Sequence, residues 1–453
     1  MAHINTRHGR AGFVLLLACV LTCNGLRARD ENCFGIIAGR LATTDGSVLL
    51  GHNEDDGGEQ MLNMYVAGRQ NGMNKFIWAE FPGLEVADAL MNEYGVCVAS
   101  DNCPSREDRE DFTDGGILHR LRLDVGKYAR SARDAVKLIG REVEQYGYRS
   151  SGRSYVIADS REGWLVAVVQ GRHWVAQRVP DDKVMTIPNY YVIDKINLND
   201  TLNFLGSKDI IEYATERGWY DPQRDGEFSF RKAYAAPRTF RSSSNTNRHS
   251  QVLAALSNGE YRYDADNVVL AVTPRHKLGV QDIIDMLSLH RETADSNQTG
   301  PLVCNNNTVL AIVCQLRSWM PRNIGCVMWT CPGKPCSGLF VPWYMGMTQA
   351  PKGWSRFSQW TEAESKHLSD SHDLRLNYPD GTYWHYTDSW EKNGRRHLDP
   401  RHPQHYALRK IQQKLLERQD KFERSLKNLS EEKTARKLNS YTASTIRKYN
   451  RHQ

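Results

Sequence analysis

Residues Cys33–Asp55, CFGIIAGRLATTDGSVLLGHNED, decide how this chain is read. Cys33–Arg40 is apolar and rich in β-forming residues, which predicts a strand. Thr43-Thr44-Asp45-Gly46 supplies turn residues, and Ser47–Asn53 predicts the returning strand. The product is a hairpin that begins at a cysteine and runs into the acidic cluster Glu54, Asp55 and Asp56.

What precedes the hairpin reads as an export signal. Arg7, His8 and Arg10 stand before the apolar run Ala11–Cys23. That run is shorter than the roughly 20 residues a membrane-spanning helix needs. A basic start, a short apolar segment and polar residues after it predict a signal peptide over 1–25, cut after Gly25. Leu26–Asn32 is then a short propeptide ahead of Cys33. Leu16-Leu17-Ala18-Cys19 also resembles a bacterial lipoprotein box, so lipid anchoring at Cys19 stands as the minor alternative. Either route places the mature protein outside the cytoplasm, whether secreted, periplasmic or on the cell surface.

Removing Leu26–Asn32 would give Cys33 a free α-amine. A thiol attacks as thiolate and titrates near pH 8.5. An α-amine titrates at about 7.7–8.0, so it can take the thiol proton and later return it to a leaving amine. Nucleophile and base then share one residue, and no histidine–aspartate pair is needed.

Downstream, Gly95–Ser100 predicts a strand after the turn at Asn92–Gly95. Apolar residues at helical spacing predict a helix from about Ile117 to Tyr146. Ser154–Ala158, Gly163–Val169 and His173–Val179 predict three strands. Val280–His290 predicts a helix; Cys304–Gln315, Ile324–Thr330 and Gly338–Tyr344 predict strands. Clustered strands and helices with few βαβ alternations point to an α+β protein. Residues 33–349 read as the catalytic body and 350–404 as irregular covering structure. Residues 405–453 read as a basic C-terminal helix and tail, with Ile411, Leu415, Phe422, Leu426 and Leu429 along one helical stripe.

The 453 residues are 40% hydrophobic and 25% charged, which excludes a mostly disordered or polytopic membrane chain. The formal charge of +6 is local: residues 405–453 hold 13 Lys/Arg against 5 Asp/Glu, and the body is mildly acidic. Nucleic acid is therefore not an expected partner. G-x-S-x-G, Walker, H-E-x-x-H, C-x-x-C and G-x-G-x-x-G motifs are absent, so no cofactor or metal is called for. His397, His402 and His405 sit in a Pro-containing stretch and read as surface histidines. Eight cysteines follow the signal, and Cys331 with Cys336 is the first pair to test for a disulfide.

The run Cys33-Phe34, Asp45-Gly46-Ser47 and His52-Asn53-Glu54-Asp55 resembles the opening of the dipeptidase A and secernin family. These are N-terminal-nucleophile cysteine peptidases related to bile-salt and penicillin V hydrolases. Met91–Val96, Tyr155–Asp159, Glu162-Gly163-Trp164, His173–Ala176, Val280-Gln281-Asp282, Gln315-Leu316-Arg317 and Gly338–Tyr344 extend the resemblance to about Gly346. It implies a four-layer αββα sandwich whose nucleophile leads a central strand. It also implies Cys33 as nucleophile and base, and Asp55 as the carboxylate that orients the amine. Asn102 and Asn189 are implied as amide donors to the oxyanion or the amine. Arg248, in Ser242-Ser243-Ser244-Asn245-Thr246-Asn247-Arg248, is implied as the cation that favours thiolate. His52, Asn53 and Glu54 are expected to bind substrate, with Glu54 pairing to an α-ammonium. His52 departs from the Arg or Lys of many relatives, so charge assistance would fall to Arg248.

The implied activity is a secreted dipeptidase acting on small unblocked peptides. An N-acyl amide hydrolase or acyltransferase of the same fold is the alternative, and a non-enzymatic secernin-like protein the second. A homo-oligomer is left open. The bland readings are a disulfide cysteine at Cys33, a solvated turn carboxylate at Asp55, turn residues at Asn102 and Asn189, and a surface Arg248.

Overall fold

The computed structural model describes residues 33–450 apart from 57–61, 86–87, 107, 258–260, 262–263, 265, 267, 290–301 and 369–402. The expected signal peptide, the propeptide, Cys19, His397 and His402 lie outside the described residues. No helix among the described residues is long and apolar enough to cross a membrane.

The hairpin read from the sequence forms β1 (Phe34–Ala38) and β2 (Val48–Asp55), paired antiparallel with Phe34 opposite Asn53. Gly46, at φ +80°, supplies the left-handed residue that the turn requires. The chain then builds β3 (Asn63–Ala67), β4 (Phe76–Glu80), β5 (Ala89–Asn92) and β6 (Cys97–Asn102) as a meander. Helices α1 (Arg120–Tyr128) and α2 (Ala132–Tyr146) follow. The strands β7 (Tyr148–Ala158), β8 (Gly163–Gly171) and β9 (Trp174–Arg178) come next, then β10 (Val184–Ile187) and β11 (Phe204–Gly206).

Helices α3 (Ile210–Glu216), α4 (Pro222–Asp225), α5 (Phe230–Tyr234) and α6 (Ser243–Ser257) lead to β12 (Ala271–Val272) and α7 (Val280–Leu287). After β13 (Thr308–Leu316) come α8 (Arg322–Gly325), β14 (Cys326–Pro332), β15 (Val341–Tyr344) and α9 (Trp360–Lys366). Two long helices, α10 (Pro403–Arg424) and α11 (Glu431–Asn450), end the described chain.

One sheet runs β12-β10-β1-β2-β13-β14-β15 and the other β11-β9-β8-β7-β6-β5-β4-β3. They pack face to face. A side chain at Gly35 would sit 2.8 Å from Val156 of the opposite sheet, so only glycine admits this approach. The outer face of the second sheet carries α1 and α2, with Leu121, Val125, Val136, Ile139 and Val143 buried on it. The outer face of the first sheet carries α7 over β2 and β13, and α11 over β15. The layers are helix, sheet, sheet, helix, as the α+β sandwich reading requires. Strands buried on both faces explain why β1, β13 and the first half of β2 read as largely apolar runs without polar alternation.

Two expectations need correction. The helix expected over 117–146 is broken between Tyr128 and Ala132. Ala129 is extended there, and Ser131 caps α2 by accepting from the Asp134 amide. The segment read as a basic helix and tail has no irregular tail before residue 450: it forms two helices, α10 and α11, and Phe422 stacks on Tyr441 between them at 3.8 Å.

Candidate active site

Alternation along β2 sorts its side chains between two environments. Gly51, Asn53 and Asp55 face the α7 layer: a side chain at Gly51 would collide with Ile283 of α7. Leu50, His52 and Glu54 face the second sheet, where His52 Nε2 lies 2.7 Å from Asp101 Oδ1 of β6. Cys33 enters β1 opposite Glu54, so thiol and carboxyl share the face between the sheets.

The Cys33 thiol donates to Glu54 Oε1 at 3.2 Å and accepts from the Asp55 amide at 3.5 Å. All three residues are buried. Burial, helped by the charge of Asp56, pushes the Glu54 carboxyl well above its ordinary range, against the pull of Arg153, the thiol and Arg122. Burial likewise raises Asp55 to about 6, although Thr308, Arg248, Asn305 and Lys334 draw it down. Asp55 Oδ2 accepts from the Asn305 amide, while its Oδ1, also out of solvent, has no hydrogen-bond partner. Lys334 Nζ donates to the Asn305 carbonyl at 2.5 Å and so steadies that loop from below.

Arg248 reaches the same place from α6. Its Nη1 donates to the Cys33 carbonyl at 2.5 Å, and its Nη2 donates to Asn189 Oδ1 at 2.9 Å and Asn245 Oδ1 at 2.8 Å. Burial lowers its pKa, while Asp55, Asp101 and Cys33 raise it. Asn189 Nδ2 donates to the Asn102 carbonyl at 2.9 Å. Asn102, Asn189, Arg248, Cys33, Glu54 and Asp55 are thus linked in one chain of contacts. The bland readings of Arg248 as a surface residue and Asp55 as a solvated turn residue do not survive: both are fully buried.

Asn53 is a correction. Its amide donates to the carbonyls of Leu287 and Val303 at 2.9 Å each, on the helix side of the strand. It ties β2 to α7 and its side chain is turned away from the thiol, so the substrate contact expected of it is not there. His52 is on the thiol's face, but buried against Asp101 between the sheets. Sequence reading missed Asn245, Asn305, Thr308, Lys334 and Asp101. Asn245 alone carried a signal, because it lies one helical turn before Arg248 within the same quoted motif.

The eight described cysteines are all thiols. Cys304 and Cys336 approach each other, as do Cys97 and Cys314, and Cys336 also lies within electrostatic reach of Cys331. Cys331, which with Cys336 is the first pair to test, directs its thiol to the carbonyls of Pro332 and Lys334.

This geometry can be set beside known proteins. The model of peptidase family C69 matches residues 118–371, which take in Asn189 and Arg248 and begin after the strands that carry Cys33 and Asp55. A probable dipeptidase of Salmonella dublin is 25% identical over 367 residues, covering 71% of this chain and 82% of the relative. A probable dipeptidase of Latilactobacillus sakei is 25% identical over 353 residues, covering 69% and 74%. Among solved structures, penicillin V acylase from Agrobacterium tumefaciens is 13% identical with a TM-score of 0.35, covering 69% of this chain and 86% of the acylase. At that score the likeness decides nothing.

Proposed function

Since the chain belongs to peptidase family C69, we propose that it is an exported dipeptidase that cleaves unblocked dipeptides with Cys33, freed as the chain's first residue, as nucleophile. The observation that carries this reading is the buried cluster at the head of β1, where the Cys33 thiol meets the Glu54 carboxyl and the Asp55 backbone amide and the Arg248 guanidinium holds the Cys33 carbonyl.

In the proposed reaction the α-amine of Cys33 takes the thiol proton, and the thiolate attacks the peptide carbonyl. The tetrahedral oxyanion collapses to a thioester, and the ammonium returns its proton to the departing amine. Water, activated by the same amine, then hydrolyses the thioester. Asp55 Oδ1, buried and without a donor, supplies the acceptor that a freed amine needs and stabilises its charged form. Arg248 holds the Cys33 carbonyl and fixes the nucleophile's backbone. Asn189, whose Oδ1 accepts from Arg248 and whose amide already donates once to the Asn102 carbonyl, would give its second N–H to the oxyanion. Glu54 loses solvation by burial, and a substrate α-ammonium would restore a favourable partner to its charged form.

The test is one preparation read two ways. Intact mass of the exported protein is expected to start at Cys33, and that protein is expected to hydrolyse free dipeptides but not their N-acetylated forms. The Cys33→Ala chain is expected to be inactive. Hydrolysis of N-acyl substrates alone would move the assignment to the amidase alternative. A retained Leu26–Asn32 extension with no activity would favour the binding role.

A further inference from the structure

On the outer side of the second sheet, away from Cys33, a second group of buried titratable side chains gathers. Asp88 stands at the start of β5, His119 just before α1, and His367 just after α9. One ligand atom from each of the three lies within 4.8 Å of those of the other two, and the contacts run between Asp88 Oδ2, His119 Nδ1 and His367 Nε2. We propose that these three atoms bind one divalent transition-metal ion of zinc's class. The site shares no residue with the hydrolytic cluster, although buried Arg122 is in electrostatic reach of both Asp88 and Glu54, and the proposal does not depend on the dipeptidase reading.

The distances favour a shared cation over hydrogen bonds. Asp88 Oδ2 is 3.7 Å from His119 Nδ1 and 3.6 Å from His367 Nε2. Both separations are too long for hydrogen bonds. Bonds of about 2.0–2.1 Å to a tetrahedral ion place its ligands about 3.4 Å apart, so shifts of a few tenths of an ångström would seat one. The other side of each ligand is already arranged. Asp88 Oδ1 accepts from the Phe81 amide at 3.0 Å, and Oδ2 takes the Trp78 indole N–H at 2.9 Å. His367 Nδ1 faces Glu80 Oε1 at 2.9 Å, and Glu80 Oε2 accepts from Asn63 at 2.7 Å. A carboxylate behind the imidazole fixes the tautomer that leaves Nε2 available to a metal.

The Leu84 carbonyl lies 3.0 Å from His367 Nε2. Two lone pairs at that distance repel unless something positive lies between them. A proton on Nε2 would serve that pair alone and leave His119 Nδ1, buried and without a hydrogen-bond partner, unsatisfied. A metal ion would serve Nε2, Nδ1 and Oδ2 together, with the Leu84 oxygen in reach as a fourth ligand. The His119 and His367 rings stack at 4.1 Å, which keeps both nitrogens on the same side. Two imidazoles and one carboxylate suit zinc rather than magnesium or calcium. Bound there, the ion would tie together the β4–β5 connection, the start of α1 and the segment after α9.

The experiment uses the full-length mature chain in a Cys33→Ser background, which removes the active-site thiol as a rival ligand. The protein is stripped with a chelator, exposed to Zn²⁺ alone or Mg²⁺ alone, freed of excess metal by gel filtration, and its metal is counted. One retained Zn²⁺ per chain is expected, with a higher melting temperature in Zn²⁺ than in Mg²⁺. Asp88→Asn and His119→Gln are each expected to weaken zinc binding at least about 10-fold. Substituting Co²⁺ should give visible bands of a low-coordinate ion without thiolate charge transfer, a readout that needs no variant to fold. No retained zinc, retention in both variants equal to that of the Cys33→Ser chain, or a thiolate band would overturn the proposal and leave His367 as a protonated partner of Glu80 and Asp88.

Discussion

Two buried charged clusters in this molecule look alike in composition and differ in how completely they are satisfied. Under the C-terminal helices, Arg317 places both Nη atoms on the Glu423 carboxylate at 2.6 and 2.7 Å and spends its remaining donors on the carbonyls of Gly325 and Ile324. Glu423 also accepts from Tyr344 at 3.1 Å and Gln419 at 2.9 Å. At the head of β1, Glu54 is pushed toward its neutral form, and Asp55 keeps one oxygen out of water without a donor. The first cluster has finished its chemistry when the chain folds. The second carries a cost into the folded state that only another molecule, or a freed chain end, removes.

That contrast can be broken at four places. The largest expected effect is Cys33→Ala, which should lower kcat on free dipeptides by about 10⁴-fold or more and leave melting nearly unchanged; turnover within about tenfold of wild type would end the assignment of the nucleophile. Next, Glu423→Ala strands a buried guanidinium and should destabilise by about 3–5 kcal/mol, seen as a lower denaturant midpoint. Asp55→Asn should act in the opposite direction on stability. Its carboxyl is raised from 3.8 to about 6, so folding favours the protonated form. The stability it contributes is fully present below about pH 4 and is lost as pH rises through about 6. A neutral amide should therefore make the unprocessed chain, in which Cys33 has no free amine, more stable at pH 8 by about 2–3 kcal/mol, while activity of the processed chain falls. Equal loss of stability in both Asp55→Asn and Glu423→Ala would erase the distinction between the clusters. Smallest, Ser131→Ala removes the α2 cap and should cost about 1 kcal/mol in thermal unfolding with activity unchanged.

Much of this was legible along the chain, and the reasons are local. The β1–β2 hairpin could be read because its turn residues and apolar runs are contiguous, and β7–β9 for the same reason. The opening motif drew attention to Cys33, Glu54 and Asp55 because strand pairing brings them together from nearby positions. Asn305 and Lys334 were not legible. They reach Asp55 from a loop and a turn far down the chain, and an Asn or Lys in such a place has no local signature. Asn53 misled because its neighbours in the motif face the thiol, while the pleat turns every second side chain to the helices. The metal-ligating trio was invisible for the same reason as Asn305: one residue comes from a strand end, one from the start of α1 and one from beyond α9.

The strand order has a consequence for how the protein is born. β2, at the start of the described chain, lies between β1 and β13, and β1 lies between β2 and β10. The ribosome must therefore deliver more than two-thirds of the polypeptide before the central sheet can close around Cys33. Pairings this distant in sequence are slow to find and leave unpaired strand edges exposed meanwhile. A nascent chain stalled before β13 would lack the strand that pairs with β2 beside Asp55 and the Asn305 amide that holds its carboxylate, so the site is assembled late in synthesis.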